Sequence, residues 1–245
     1  MRGIPLGHEP FSGDELTQCR IWYRLIHLVA RRRKRSGLRP DIMPDQPGLN
    51  GLRLWGLMRV LDLGCGSGLD LASWGVTASD EVTGLDIDES RLAIARVRFP
   101  NRTYLHGAGE RLPFEDKSFD RVISAVALPY MDIPKTLAEI HRILVPGGGL
   151  SLSLHLPSFT FAELRKYAFP RPIPTLFRLY VMANGVWFHF TARTLRFING
   201  RVESFQTERG MSVALDRGGF VNPSFSRAHG PAGPIFVVEA RSRAL

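Results

Sequence analysis

Between about residue 57 and residue 155 the chain alternates short apolar runs with segments whose apolar positions recur every three or four residues. The runs are "LMRVLDL" (57–63), "EVTGLD" (81–86), "RTYLHG" (102–107), "FDRVISAVAL" (119–128) and "LSLSLH" (150–155), each of strand length. A short helix is expected after the first run, and Glu89–Val97 and "IPKTLAEIHRIL" (133–144) predict two more. Pro134 falls in the first turn of the last of these, where its missing N–H costs nothing. "PGGG" (146–149) predicts the turn into the fifth strand. Strands alternating with helices imply right-handed crossovers and a mostly parallel, doubly wound α/β sheet covered on both faces.

The flanks read differently. Ser12 and Glu15 form a capping box, Ile21, Leu25, Leu28 and Val29 give an apolar stripe, and Gly37 can end the helix. Residues 1–50 are therefore expected to be an N-terminal helix followed by the Pro- and Gly-rich linker "RPDIMPDQPGLNG". After His155 the alternation stops, and residues 156–209 are rich in aromatics and prolines. They predict a lid inserted into a single domain spanning 51–245. "GFVNPSFSRAHG" and "PIFVVEARS" predict a closing antiparallel hairpin.

Composition narrows the class. With 245 residues, 44% hydrophobic and 22% charged, the chain can bury a substantial core without staples. Its longest apolar stretches, 21–30 and 176–190, are each interrupted by Arg and too short to span a bilayer. No apolar core follows the first basic residue, and Cys19 and Cys65 suit neither a disulfide framework nor a zinc site, so a cytoplasmic protein is expected. The net charge of +9 favours an anionic partner, nucleic acid or phospholipid. Five of the positive charges are the run "RRRKR" (31–35), which falls where the N-terminal helix should end. A helix dipole favours cations there, so a solvated helix end is the simpler reading.

The candidate chemistry sits at the first turn. In "VLDLGCGSGLD" (60–70), Asp62 precedes Gly64, Gly66 and Gly68 at the end of the first predicted strand. In an open α/β sheet ligands bind beyond the carboxyl ends of strands, and glycines there let a ligand approach bare main chain and its N–H groups. Asp86 ends the second predicted strand 18 residues after Gly68, where a carboxylate can accept from both hydroxyls of a ribose. Leu69 stands where a dinucleotide fingerprint would need its third glycine.

Asp62-x-Gly64-x-Gly66-x-Gly68 resembles the first motif of class I S-adenosylmethionine-dependent methyltransferases. "GLDIDESRLAIAR" (84–96), "GERLPFEDKSFDRVISA" (109–125) and "LAEIHRILVPGGGLSLS" (137–153) resemble later segments of the same family, in order. The nearest branch is the small-molecule one that includes ubiquinone and menaquinone C-methyltransferases. The resemblance implies a Rossmann-like fold and S-adenosylmethionine as cofactor. It implies that Asp62, Gly64, Cys65, Gly66 and Gly68 line the cofactor, with Asp86 on the ribose and Ile87 against the adenine. Gly109, Glu110 and Ala125 complete that set by the same resemblance. Ala108 departs from the pattern, standing where the family often has an acid. Asp70 is explained as a partner for first-turn amides.

Methyl transfer from a sulfonium needs alignment, exclusion of water and sometimes a base. Tyr130 and His155, beyond the fourth and fifth strands with Asp132 nearby, are the candidates, and each is equally readable as a structural residue. "ALPY" (127–130) lacks the polar first residue of the exocyclic-amine motif, and two cysteines are too few for arsenite methylation. Nine aromatics between Phe159 and Phe190 are expected to wall a greasy pocket or form the lid's own core. A small apolar or aromatic metabolite, methylated on O, N or C, is the leading acceptor, with peripheral membrane contact as a corollary. A cofactor-binding module without catalysis and an RNA methyltransferase are the alternatives. No oligomeric state is implied.

Overall fold

The computed structural model describes residues 57–68, 71–167, 172–230 and 233–244. The expected N-terminal helix, the linker, the "RRRKR" run and Asp70 lie outside the described residues, as does the side chain of His155. Seven strands form one sheet: β1 (Arg59–Leu63), β2 (Glu81–Asp86), β3 (Thr103–His106), β4 (Phe119–Ala125), β5 (Leu144–His155), β6 (Phe220–Gly230) and β7 (Gly233–Ser242). Helices α1 (Glu89–Arg98) and α2 (Ile133–Ile143) lie in the first half, α3 (Pro157–Tyr167), α4 (Pro172–Thr191) and α5 (Glu208–Arg217) in the second.

The strand order is β3-β2-β1-β4-β5-β7-β6, parallel from β3 to β5 and antiparallel for the closing pair. The chain winds outward from β1 to β3 and then restarts at β4, so strand order reverses between β1 and β4. That reversal opens a crevice at the carboxyl ends of the central strands. Side chains alternate as the pleat requires: Leu61, Leu63 and Val122 pack on one face, Val60 and Ile123 on the other. On the first face α2 buries Ile133, Leu137, Ile140 and Ile143, a helical stripe that follows from their spacing in the sequence.

Four expectations need correction. The element described after the glycine loop is a four-residue 3-10 turn, Leu71–Trp74, where a short helix was expected. "PGGG" is not a turn but part of β5. Gly147 at φ +78° and a register shift opposite Phe119/Arg121 absorb the extra residues as a bulge. Helix α5 was not expected at all; Thr207 caps it by accepting from the Gly210 N–H, and it buries Met211, Ala214 and Leu215. Among the described residues the lid aromatics divide between inside and outside. Phe188 is fully buried, Phe177 and Tyr180 cluster with Phe197, and Phe161, Trp187 and Phe190 face outward.

The insert has its own polar anchor. Asn184, fully buried, donates to the carbonyls of Glu203 (2.8 Å) and Leu195 (3.2 Å) and to the Tyr180 hydroxyl (3.1 Å). Its oxygen accepts from the Leu195 N–H at 2.7 Å. The Arg178–Glu203 ion pair, 2.8 Å with both side chains largely buried, fastens the same helix to the same loop.

Candidate functional site

β1 carries the first site residue. It is the central parallel strand, so Asp62 is flanked by Gly84 of β2 and Ile123 of β4 and is only 2% exposed. Burial pushes its carboxyl pKa up to about 7; nearby Asp86 adds to the rise and Arg102 opposes it. Cys65 is buried as well, and the same desolvation pushes its thiol well above the usual range, so it is packing rather than a nucleophile.

The glycines of the loop do three different things. A Cβ at Gly64 would lie 2.1 Å from the Cβ of Ala127, across the β1/β4 crevice. One at Gly68 would meet the Phe99 ring at 2.8 Å. At Gly66 the nearest atoms belong to the Arg91 side chain, 3.9 Å away, so a Cβ there would make only ordinary contact with a flexible side chain. All three have positive φ, +72°, +53° and +82°, which only glycine adopts readily. Gly64 and Gly68 are thus required by packing, and Gly66 is the place where a ligand can come close.

The loop amides point inward, contrary to expectation. Gly64 and Cys65 donate to the Leu85 carbonyl at 2.7 and 3.1 Å, and Gly68 donates to the Cys65 carbonyl at 3.0 Å. Gly66 donates to Asp86 Oδ2 at 2.7 Å, while Asp88 donates to Oδ1 at 2.9 Å. The Asp86 carboxylate is therefore held across two loops by main chain and retains further lone pairs on both oxygens. Ile87 follows with its side chain 67% exposed, and His106 Nε2 sits 2.9 Å from the Ile87 carbonyl.

On the other side of the crevice, Ala125 ends β4 and Val126 turns sharply, at φ +59°. A β-branched residue in that region is strained. The Val126 N–H donates to the Ser153 carbonyl at 2.9 Å, and the turn carries Ala127 onto Gly64 before a 3-10 turn, Leu128–Tyr130. Tyr130 is 49% exposed on this rim. His155 ends β5 on the adjacent strand, opposite Ile235 of β7. Asp132 caps α2 and pairs with Lys135 at 3.2 Å and Arg196 at 3.8 Å. Glu110 Oε1 accepts from the Asp132 N–H at 2.9 Å, so Glu110 is tied to the start of α2. Gly109 is buried, with Met131 Sδ 2.7 Å from where its Cβ would be.

Two residues of this site were missed from sequence. Gly84 has no room for a side chain, since a Cβ would meet the Tyr104 ring at 2.7 Å and Cys65 Sγ at 2.8 Å. A glycine inside an apolar strand was the available signal. Met131 touches both the Gly64 and the Gly109 positions, bridging the crevice, and nothing local marked it.

The Gly66 turn, the anchored Asp86 and the exposed Ile87 are the residues that could hold a nucleoside with a ribose diol and a flat base. Residues 61–152 match the methyltransferase-domain family. The chain is 37% identical over 91 residues to a demethylmenaquinone methyltransferase of Chlorobaculum tepidum, covering 37% of this chain and 38% of that protein. It is 40% identical over 97 residues to a malonyl-[acyl-carrier protein] O-methyltransferase of Erwinia pyrifoliae, covering 39% and 37%. These matches thus span less than half the length of either relative. A solved S-adenosylmethionine-dependent methyltransferase of Methanosarcina mazei shares the fold, with TM-score 0.57 at 20% identity over 83% of this chain and 100% of that one. Over residues 61–152 the chain is thus similar to methyltransferase domains, and its fold is that of the S-adenosylmethionine-dependent methyltransferase it resembles.

Proposed function

We propose that the protein transfers a methyl group from S-adenosylmethionine to a small apolar or aromatic acceptor. The observation that carries this reading is the Asp86 carboxylate, fixed by the Gly66 and Asp88 amides beside the one loop glycine whose Cβ would meet no close neighbour among the described residues. Asp86 would accept from the ribose hydroxyls on its remaining lone pairs, and the exposed Ile87 would cover a face of the base. Once bound, the cofactor supplies an activated methyl on a sulfonium, so the protein's task is mainly alignment and exclusion of water.

Two acids on the far rim of the crevice are committed to structure. Asp132 caps a helix and holds two cations, and Glu110 binds a helix amide. Tyr130 and His155 stay the candidates to receive a proton from the acceptor. The two relatives carry different acceptors in their names, demethylmenaquinone and a malonyl group on an acyl-carrier protein. The match to the methyltransferase-domain family ends at residue 152, and the apolar, aromatic segment beyond β5 is the part we assign to acceptor choice.

Isothermal calorimetry with S-adenosylhomocysteine tests the reading. Heat is expected with that ligand and none with NAD. Asp86→Ala should weaken binding at least about tenfold, from the loss of charge-assisted hydrogen bonds worth about 1.5–3 kcal/mol each. Unchanged affinity in the variant would remove the assignment. Release of S-adenosylhomocysteine against a metabolite panel separates an enzyme from a protein that only binds the cofactor.

A further inference from the structure

Helix α4 is apolar on both sides. Its inner face buries Val181, Asn184 and Phe188, at 1%, 0% and 0% exposure. Its outer face presents Leu176, Leu179, Ala183, Val186, Trp187 and Phe190, all exposed, the last at 66%. At about 100° per residue these six fall within roughly a 100° arc, so they form one stripe. A helix apolar all round calls for cover on its outer side as well.

Charge says what the cover is. Residues 172–217 hold six arginines against three acids. Two of those acids are already paired, Glu203 with Arg178 and Asp216 with Arg243. The surplus gathers at the C-terminal end of the stripe. The Arg209 guanidinium lies 5.7 Å from the Phe190 ring centre, Arg217 donates to the Thr191 carbonyl at 2.7 Å, and Arg193 is exposed just beyond the helix. A second copy of the chain would bring like charge to like. So would residues 1–56, with ten Lys or Arg against five acids. No helix among the described residues is long and apolar enough to cross a membrane. An apolar stripe with aromatics and a cationic border is instead the arrangement that lies in the plane of a bilayer surface.

We infer that the outer face of α4 docks on an anionic phospholipid surface, with Trp187 and Phe190 entering the acyl boundary and Arg193, Arg209 and Arg217 meeting the headgroups. The inference does not depend on the methyl-transfer reading. The segment leaving α4 is tied to the rim of the crevice: the Ser204 N–H donates to the Pro129 carbonyl at 3.2 Å, and Arg196 pairs with Asp132. A docked α4 would therefore hold the Tyr130 turn close to the lipid.

The test is co-sedimentation of the full chain with vesicles of phosphatidylcholine alone and of phosphatidylcholine mixed with phosphatidylglycerol. Binding is expected on the mixed vesicles and should weaken as salt rises. Trp187→Ser with Phe190→Ser, and separately Arg193→Glu with Arg209→Glu, should each lower partitioning roughly tenfold or more. Both pairs are exposed, so melting temperatures should stay near wild type. Failure to sediment with mixed vesicles would overturn the inference. So would wild-type partitioning of both variants, loss of binding only when Arg31–Arg35 are neutralised, or a dimer that the serine variant dissolves without any vesicle binding.

Discussion

The two halves of the molecule bury polar groups to different ends. In the first half, residues 57–155, main chain is turned against main chain, Gly64 and Cys65 on Leu85 and Val126 on Ser153, with Gly66 on the Asp86 carboxylate. The insert and its following loop depend on one buried side chain, Asn184, to collect three backbone groups. Residues 61–152 match the methyltransferase-domain family, while the insert presents an outward apolar stripe. A frame made by backbone bonds depends little on which side chains it carries. A frame made through one side chain depends on that residue.

That contrast breaks first at Gly64. Gly64→Ala places a Cβ 2.1 Å from that of Ala127 at φ +72°, so both the crevice and the turn resist it. Strain and overpacking together should cost about 4 kcal/mol, seen as a large loss in denaturant midpoint, and calorimetric heat from S-adenosylhomocysteine should vanish. A near-normal melt would mean that the β1 and β4 ends are not locked together.

Asn184→Ala probes the other half. It strands the Leu195 amide and the Glu203 carbonyl inside the insert, at about 1–3 kcal/mol for each unsatisfied group, or about 3 kcal/mol in all. Affinity for S-adenosylhomocysteine should remain near the wild-type value, because the groups Asn184 bonds, on Tyr180, Leu195 and Glu203, are not the loop amides that hold Asp86. A matching fall in affinity would show the halves to be one cooperative unit.

How much of this was legible follows the same division. Periodicity and glycine spacing marked the parallel sheet, the β1 loop and Asp86, because backbone geometry leaves its trace in glycines and in strand ends. The inward direction of the loop amides was not legible, since the partners, Leu85 and Asp86, lie a whole crossover away. Nor were the roles of Glu110 and Asp132, whose hydrogen bond joins residues 22 apart. Helix α5 escaped because the aromatic richness before it masked Thr207 as a cap and Gly218 as a stop. The aromatics themselves could be counted from sequence but not assigned inward or outward, and that assignment is what distinguishes a pocket from a docking face.

Asp62 sharpens the contrast through pH. Its carboxyl stands at about 7 when folded, against an ordinary 3.8, so between those values the folded state holds the proton more tightly than the unfolded chain. Stability from this group is therefore greatest at low pH and is lost as pH rises toward 7. A full unit of proton-binding difference is about 1.4 kcal/mol per pH unit, so the loss from pH 5 to pH 7 is about 2 kcal/mol. Asp62→Asn removes the titration. Its stability relative to wild type should rise by that amount across the interval, measured by urea unfolding at several pH values. Parallel curves would mean that Asp62 is ionised throughout.

The smallest effect concerns the strained turn. Val126 at φ +59° is a conformation that costs a β-branched residue about 1–2 kcal/mol, and glycine there would relieve it. Glycine also loses more entropy on folding, about 1 kcal/mol, so Val126→Gly should leave overall stability within about 1 kcal/mol of wild type. What should change is local. The Tyr130 and Met131 amides, which donate to the Ala127 and Leu128 carbonyls, depend on the turn staying closed. Hydrogen exchange at those two amides should quicken several-fold in the variant while exchange across Asn184 is unaltered. Equal protection in both proteins would show that the strain holds nothing in place, and that Ala127 is kept on Gly64 by the sheet alone.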